Sequence, residues 1–224
     1  MERHTEIVAI LDRSGSMASI REDAIGGFNS FLEDQQAVPG EARFTLVQFD
    51  NVYEVVYDAV DLRQVSPLSH GTFVPRGATA LLDAVGRTID DVGRRLHATP
   101  ESQRPAHVIV AILTDGMENA STDYTLEQVR TLIDQQQTVY GWDFIYLGAN
   151  QDAIRVGQSL SIAAKDSYQW TSDAAGTAAL YCQVSKEVTA RRTTPRTERH
   201  QDTKGKSRRV KRGRRGRKGT SSNS

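Results

Sequence analysis

The run Glu6-Ile-Val-Ala-Ile-Leu11 is followed at once by Asp12-Arg-Ser-Gly-Ser16. The first segment is short, largely apolar and rich in β-branched residues, which is typical of a buried strand, and the second has the composition of a tight turn. The run His107-Val-Ile-Val-Ala-Ile-Leu113 repeats this arrangement and ends in Thr114-Asp115-Gly116. Two such units predict neighbouring parallel strands whose polar turns gather at one edge of a sheet.

Helical and strand-like segments alternate through the rest of the chain. Apolar residues at helical spacing predict helices from Ile20 to the Pro39-Gly40 stop, and at 79–96, 126–139, 152–160 and 172–190. Further strands are predicted at 43–49, 52–57 and 142–147, with a short last strand at 161–164. The Asp50-Asn51 pair indicates a hairpin. The sequence therefore predicts an α/β fold: a doubly wound, mostly parallel sheet with one antiparallel edge strand and helices on both faces.

Charge divides the chain, although the net charge of its 224 residues is zero. Residues 1–184 carry 13 basic and 25 acidic side chains, a balance of −12, whereas residues 185–224 carry 15 and 3, a balance of +12. We predict one domain at 1–190 and a basic, disordered tail at 191–224, because the tail has too few apolar residues to order itself.

Composition also indicates a compartment. No run of about 18 apolar residues occurs, and residues 1–6 are polar where a signal peptide would be apolar. The single cysteine, Cys182, cannot form an internal disulfide and has no Cys or His neighbour at zinc-ligand spacing, so we expect it to be a small apolar residue in a helix. We therefore expect a soluble, cytoplasmic protein.

The two strand-end aspartates, Asp12 and Asp115, suggest a metal site. Two carboxylates that point into one crevice repel each other unless a positive charge lies between them. The hydroxyls of Ser14 and Ser16 can turn toward the same point, because Gly15 between them permits a tight loop. Ligands that are all oxygen favour a hard cation such as Mg²⁺ or Mn²⁺.

The order of these motifs resembles the von Willebrand factor A domain. The turn Asp12-Arg-Ser-Gly-Ser16, then Gly77-Ala-Thr-Ala80 before a helix, then Thr114-Asp115-Gly116 after a central strand, match the Asp-x-Ser-x-Ser, Thr and Asp of its metal-ion-dependent adhesion site. The resemblance covers roughly residues 5–162, and residues 144–152 look like those of bacterial intracellular members, including those of phages.

The resemblance implies a metal site formed by Asp12, Ser14, Ser16, Thr79 and Asp115. Ser14 and Ser16 would ligate the metal directly, Thr79 directly or through water, and the two aspartates through coordinated waters. A dication held mostly by neutral hydroxyls remains electrophilic, so an open coordination position would accept an Asp or Glu of a partner protein. We therefore expect a protein-binding module and no enzyme activity.

A Mg²⁺-dependent phosphatase of the haloacid dehalogenase type is the main enzymatic alternative. That chemistry needs Asp-x-Asp after the first strand, and Ser14 occupies the position of the second acid. Phosphate-binding, dinucleotide-binding and nucleophile-elbow motifs do not occur in the sequence. Ser69-His70 and His107 could belong to a hydrolytic site, but neither has a defined acidic partner.

The basic tail has three possible roles. It could bind nucleic acid through counterion release, without base stacking because no aromatic residue interrupts its basic run. It could fold back onto the acidic domain, or it could be a solvated end without a function. The residues that would contact nucleic acid are Arg208, Arg209, Lys211, Arg212, Arg214, Arg215, Arg217 and Lys218.

Overall fold

The computed structural model describes residues 4–149 and 152–194. Six strands form one sheet in the order β3-β2-β1-β4-β5-β6. Their bounds are β1 (Thr5–Asp12), β2 (Ala42–Phe49), β3 (Tyr53–Asp61), β4 (His107–Thr114), β5 (Asp143–Ala149) and β6 (Ser167–Trp170). All neighbouring strands are parallel except β2 and β3, which form the antiparallel edge.

Five helices cover the two faces of the sheet. They are α1 (Arg21–Ala37), α2 (Leu81–Ala98), α3 (Leu126–Gln135), α4 (Ala153–Ser159) and α5 (Ala174–Thr193). Apolar side chains of α1 and α5 pack against one face, and those of α2, α3 and α4 against the other. The predicted doubly wound α/β fold is therefore confirmed.

The central strand β1 is buried along its whole length, as its apolar run predicts. Alternate residues point to opposite faces, so Ile7 contributes to the core under α1 and α5, whereas Val8 contributes to the core under α2, α3 and α4. Parallel pairing with both β2 and β4 fixes the ends of all three strands at the same edge.

The last strand lies later in the chain than the sequence predicts. Residues 161–164 do not form a strand: Ser161 has a φ of 64°, and the amide of Ile162 donates to the carbonyl of Gly157 at 2.8 Å. Ile162 is apolar because it is buried in a turn that packs under α2, α3 and α4. The edge strand is β6, which pairs with Tyr146 through Ala149 of β5.

Helix α1 packs closely against α5 at Gly27, whereas the neighbouring Gly26 faces open space. A β-carbon at Gly27 would lie 2.1 Å from the Tyr181 ring of α5, whereas one at Gly26 would have no other atom within 4 Å. Cys182 also lies in α5, where its side chain is exposed.

Within the described residues, no helix is both long enough and apolar enough to span a membrane.

Candidate metal centre

The residues Asp12, Ser14, Ser16, Thr79 and Asp115 lie at the edge where the parallel strands end. Asp12 is the last residue of β1, and Asp115 directly follows its parallel neighbour β4. Ser14 and Ser16 belong to the turn after β1, and Thr79 lies two residues before α2. Strand topology therefore brings together residues that are up to 103 positions apart in the sequence.

Four of these side chains belong to one group of hydrogen bonds. Asp12 Oδ1 accepts from the amide of Ser14 at 2.6 Å, and its Oδ2 accepts from the Thr114 hydroxyl at 2.6 Å. The hydroxyl oxygens of Ser14 and Ser16 are 3.1 Å apart, and Ser16 donates to Asp115 Oδ1 at 2.7 Å. These contacts join the two strand-end carboxylates through the serines.

Gly116 shows that Thr79 faces the same space. A β-carbon at position 116 would lie 2.8 Å from Thr79 Oγ1, 3.6 Å from Ser16 Oγ and 3.7 Å from Asp12 Oδ2. The three oxygens therefore surround a point that a side chain at position 116 would fill. The glycine keeps this space open.

The residues of the cluster differ in burial, and burial raises the pKa of its two acids. Asp12 is fully buried, whereas Ser16 is exposed, so the cluster runs from the sheet edge to the surface. Burial raises the pKa of Asp12 to about 6 although hydrogen bonds from Thr114 and Ser14 oppose the shift, and the charge of Asp115 adds to it. Burial also raises the pKa of Asp115 against the hydrogen bond from Ser16. A nearby cation would stabilise the charged form of both acids.

The spacing and chemistry of the donors fit a small, hard cation. Octahedral Mg²⁺ places neighbouring ligand oxygens roughly 3 Å apart, and the hydroxyl oxygens of Ser14 and Ser16, the two expected direct ligands, are 3.1 Å apart. The described residues contain no cluster of three or more His, Cys, Asp or Glu side chains that could hold a metal. A site here would therefore depend on hydroxyl oxygens.

The loop after β4 is fixed to the start of α2 by side chains that accept from backbone amides. Asn119 Oδ1 accepts from the amide of Thr79 at 2.9 Å. Glu118 accepts from the amide of Leu82 at 2.9 Å and from that of Ser121 at 2.8 Å. These bonds hold Thr79 beside the loop that carries Asp115.

A buried carboxylate, Asp50, joins the turn after β1 to the segment before α2. Its Oδ2 accepts from Arg13 Nε at 3.1 Å and from Arg76 Nε at 2.8 Å, and its carbonyl accepts from the amide of Ala80 at 3.0 Å. The amide of Arg76 also donates to the carbonyl of Arg13 at 2.8 Å. Asp50 therefore ties the turn after β1 to the segment before α2.

Sequence reasoning missed the supporting residues. The sequence indicates Thr114 only as part of a turn and Asp50 only as part of a hairpin, and it predicts no role for Glu118 or Asn119. For Thr114, its place in the Thr-Asp-Gly motif was a usable signal. The other contacts are made only by tertiary packing, and the local sequence gives no sign of them.

The side chains considered for a hydrolytic site have other partners. The expectation that His70 has no acidic partner is wrong, because its Nε2 lies 3.0 Å from Glu22 Oε2 at the surface. Ser69, however, has its Oγ 3.2 Å from Thr72 Oγ1. His107 begins β4 and therefore lies at the end of the sheet opposite Asp12. These positions give no support to a hydrolytic pair.

The predicted nucleic-acid contacts lie outside the described residues. They are Arg208, Arg209, Lys211, Arg212, Arg214, Arg215, Arg217 and Lys218, and the described chain ends at Thr194.

Comparison with known proteins shows similarity in structure alone. No protein family model matches the chain, and no curated protein sequence matches it. Proximal thread matrix protein 1 of the mussel byssus, solved with a zinc-occupied MIDAS motif, has 14% identity and a TM-score of 0.58 over 82% of this chain and 47% of its own. The chain thus matches less than half of the length of the mussel byssus protein in each of its three structures.

Two bacterial pilus proteins are similar as well. The pilus adhesin SpaC from Lactobacillus rhamnosus GG, in its open conformation, has 14% identity and a TM-score of 0.62 over 85% of this chain and 30% of its own. The vWF domain of the pilus tip protein Mfa5 from Porphyromonas gingivalis has 12% identity and a TM-score of 0.61 over 87% of this chain and 98% of its own. The chain therefore has the von Willebrand factor A fold.

Proposed function

We propose that the chain is a divalent-metal-dependent protein-binding module with a metal-ion-dependent adhesion site. The observation that carries this proposal is the convergence of hydroxyl and carboxylate oxygens on the open space beside Gly116. The fold supports it, and so does the zinc-occupied MIDAS motif of the mussel byssus protein.

In this proposal Ser14 and Ser16 hold the metal directly, Thr79 does so directly or through water, and Asp12 and Asp115 hold coordinated waters. Mg²⁺ or Mn²⁺ suits this donor set. When bound, the ion supplies an electrophilic position for a carboxylate of a partner protein. The exposure of Ser16 supports this proposal, because a metal ligand at the surface would leave the ion open to an Asp or Glu of the partner.

The proposed activity is binding and not catalysis. Asp12 has both carboxylate oxygens engaged, by the Ser14 amide and the Thr114 hydroxyl, which suits a fixed anchor better than a nucleophile. Turnover of p-nitrophenyl phosphate that Asp12→Asn abolishes would instead support the phosphatase alternative.

The proposal includes a cytoplasmic location, as in the bacterial or phage intracellular type. The exposed thiol of Cys182 suits a reducing compartment.

Titration calorimetry with Mg²⁺ and with Mn²⁺ tests the site. We expect binding to the wild type and its loss in Asp12→Asn with Asp115→Asn, whereas Glu127→Gln, an exposed acid in the first turn of α3, should bind normally. Equal binding by all three proteins would refute the metal assignment.

Water proton relaxation by the Mn²⁺-loaded protein tests carboxylate capture. We expect acetate or a glutamate-containing peptide to displace water from the ion and lower the relaxation enhancement, while the matching glutamine peptide leaves it unchanged. An identical response to both peptides would rule out carboxylate recognition without touching the metal assignment.

A second candidate function is attachment to nucleic acid through the basic tail. The concentration of +12 net charge in residues 185–224 favours it. We expect full-length protein to retain DNA or RNA at low salt, and a version ending at Thr194 to retain much less. Equal retention at every salt concentration would exclude a role for the tail.

A further inference from the structure

An open cleft of about 930 Å³ lies at the end of the sheet opposite the metal centre. It is lined by residues around the first positions of β1, β2 and β4 and by the last residues of α5. Arg43, Arg104 and Arg192 line it, together with His4, His107 and a single acidic residue, Glu41.

The three arginines of this cleft differ from most others in the domain. Within the described residues, none of them forms an ion pair with a carboxylate. Ion pairs are formed instead by Arg13, Arg63, Arg76, Arg87, Arg94, Arg95 and Arg191. Among residues 4–149 and 152–194, these three guanidinium groups therefore have no carboxylate at ion-pair distance, although Asp61 lies opposite Arg43 in the sheet.

Two of the arginines are fixed by backbone carbonyls. Arg104 Nε donates to the carbonyl of Thr99 at 2.9 Å, and Arg192 Nη1 donates to that of Gln35 at 2.6 Å. A carbonyl orients a guanidinium group but does not cancel its charge. Arg43, in contrast, is exposed at the start of β2.

The electrostatics of His4 agree with a positive cleft. Burial, and then the charge of Arg43, lower the pKa of His4, whereas the charges of Glu6 and Glu41 raise it. Arg43 therefore has a larger effect on His4 than Glu41, the acid in the same cleft.

The basic tail begins inside the same cleft. Thr194, the last residue that the structure describes, is part of the lining. The next 30 residues contain 12 basic and 2 acidic side chains. A ligand that binds the tail electrostatically is therefore brought directly to Arg43, Arg104 and Arg192.

We propose that this cleft binds the phosphodiester backbone of a nucleic acid. Guanidinium groups held at fixed positions, as in Arg104 and Arg192, suit the regularly spaced phosphates of a nucleic-acid backbone. The proposal rests on the second candidate function and adds to it a contact surface on the folded domain. It is independent of the metal centre, which lies at the other end of the strands.

Full-length variants test the cleft by fluorescence anisotropy, with a labelled 20-bp DNA duplex, a 20-nucleotide single strand and vesicles that contain phosphatidylserine. Arg43→Gln should weaken duplex binding about fivefold near 0.1 M salt and reduce the salt slope by about 0.9, or by about 0.7 on the single strand. Glu41→Gln should tighten binding several-fold, a gain that a damaged fold would not produce. The matched control is Arg155→Gln, an exposed arginine of α4 outside the cleft, which should bind like the wild type.

Each result decides the proposal. Opposite changes in Arg43→Gln and Glu41→Gln, with Arg155→Gln unchanged, support it. If both cleft variants bind like the control while removal of residues 195–224 abolishes binding, the cleft is excluded as a nucleic-acid site and the tail alone accounts for binding. Failure of full-length protein to bind either nucleic acid at 50 mM salt overturns the cleft proposal and the second candidate function together. Binding to the vesicles alone has the same consequence.

Discussion

At the scale of single residues, Gly116 offers the sharpest test of the metal centre. We expect Gly116→Ala to lower Mg²⁺ affinity at least about tenfold in calorimetry, because its methyl group would lie 2.8 Å from Thr79 Oγ1 and occupy the space between the oxygens. Gly71→Ala is the control, since its β-carbon would meet only Ser69 Oγ, at 3.7 Å. Unchanged affinity in Gly116→Ala would mean that no ion occupies this space.

The buried acid Asp12 predicts a pH dependence. Its pKa is raised from 3.8 to about 6, so the protonated form is favoured in the folded state, and its contribution to stability is lost as pH rises through about 6. Charging it in the metal-free protein costs about 3 kcal/mol. A cation offsets this cost, so Mg²⁺ should raise the unfolding midpoint more at pH 7.5 than at pH 5. Thermal denaturation with and without Mg²⁺ measures this difference, and an equal rise at both values would contradict it.

The sequence indicates that the five candidate metal-site residues lie at one edge of the sheet, but it does not indicate the residues that support them. Asp12, Ser14 and Ser16 share one short motif, and the positions of Thr79 and Asp115 beside a predicted helix and strand placed them at the same edge. Asp50, in contrast, acts through bonds to Arg13 and Arg76, which lie 37 and 26 positions away. Such a contact exists only after the strands pair, so local patterns do not contain it.

At the scale of elements, the pair of glycines in α1 gives a matched test of helix packing. Gly27→Ala should destabilise the domain by about 1–3 kcal/mol, because its methyl group would collide with Tyr181 of α5. Gly26→Ala should stabilise it by about 0.5–1 kcal/mol, because no neighbour restricts the site and alanine favours a helix. Urea denaturation of both variants measures the difference, and similar free energies of unfolding would contradict a close contact between α1 and α5.

Strands were predicted well where burial on both faces dictated their composition. This holds for β1 and β4, whose runs are apolar throughout. The edge strand β6 reads Ser167-Tyr-Gln-Trp170 and has only four residues, so its pattern is weak. The sequence instead predicts a strand at Ile162, because an apolar residue is equally compatible with a buried turn and with a buried strand.

At the scale of the whole molecule, the two proposed sites lie at opposite ends of the parallel strands, roughly 25 Å apart for a strand of eight residues. We therefore expect EDTA to abolish carboxylate binding by the full-length protein while nucleic-acid affinity changes less than about twofold. Raising the salt concentration from 50 to 300 mM should instead abolish nucleic-acid binding while the affinity for a carboxylate changes little. Anisotropy with a labelled duplex and with a labelled glutamate peptide measures both, and loss of duplex binding in EDTA would show that the two ends are linked.

The scattered origin of the metal centre has a thermodynamic consequence. Its loops follow β1, precede α2 and follow β4, so the denatured chain cannot hold them together. An ion that binds only the folded form stabilises that form by mass action, by about 2.7 kcal/mol when free metal is a hundredfold above its dissociation constant. Changes in the cellular level of free divalent cations would then act directly on the lifetime of the folded protein.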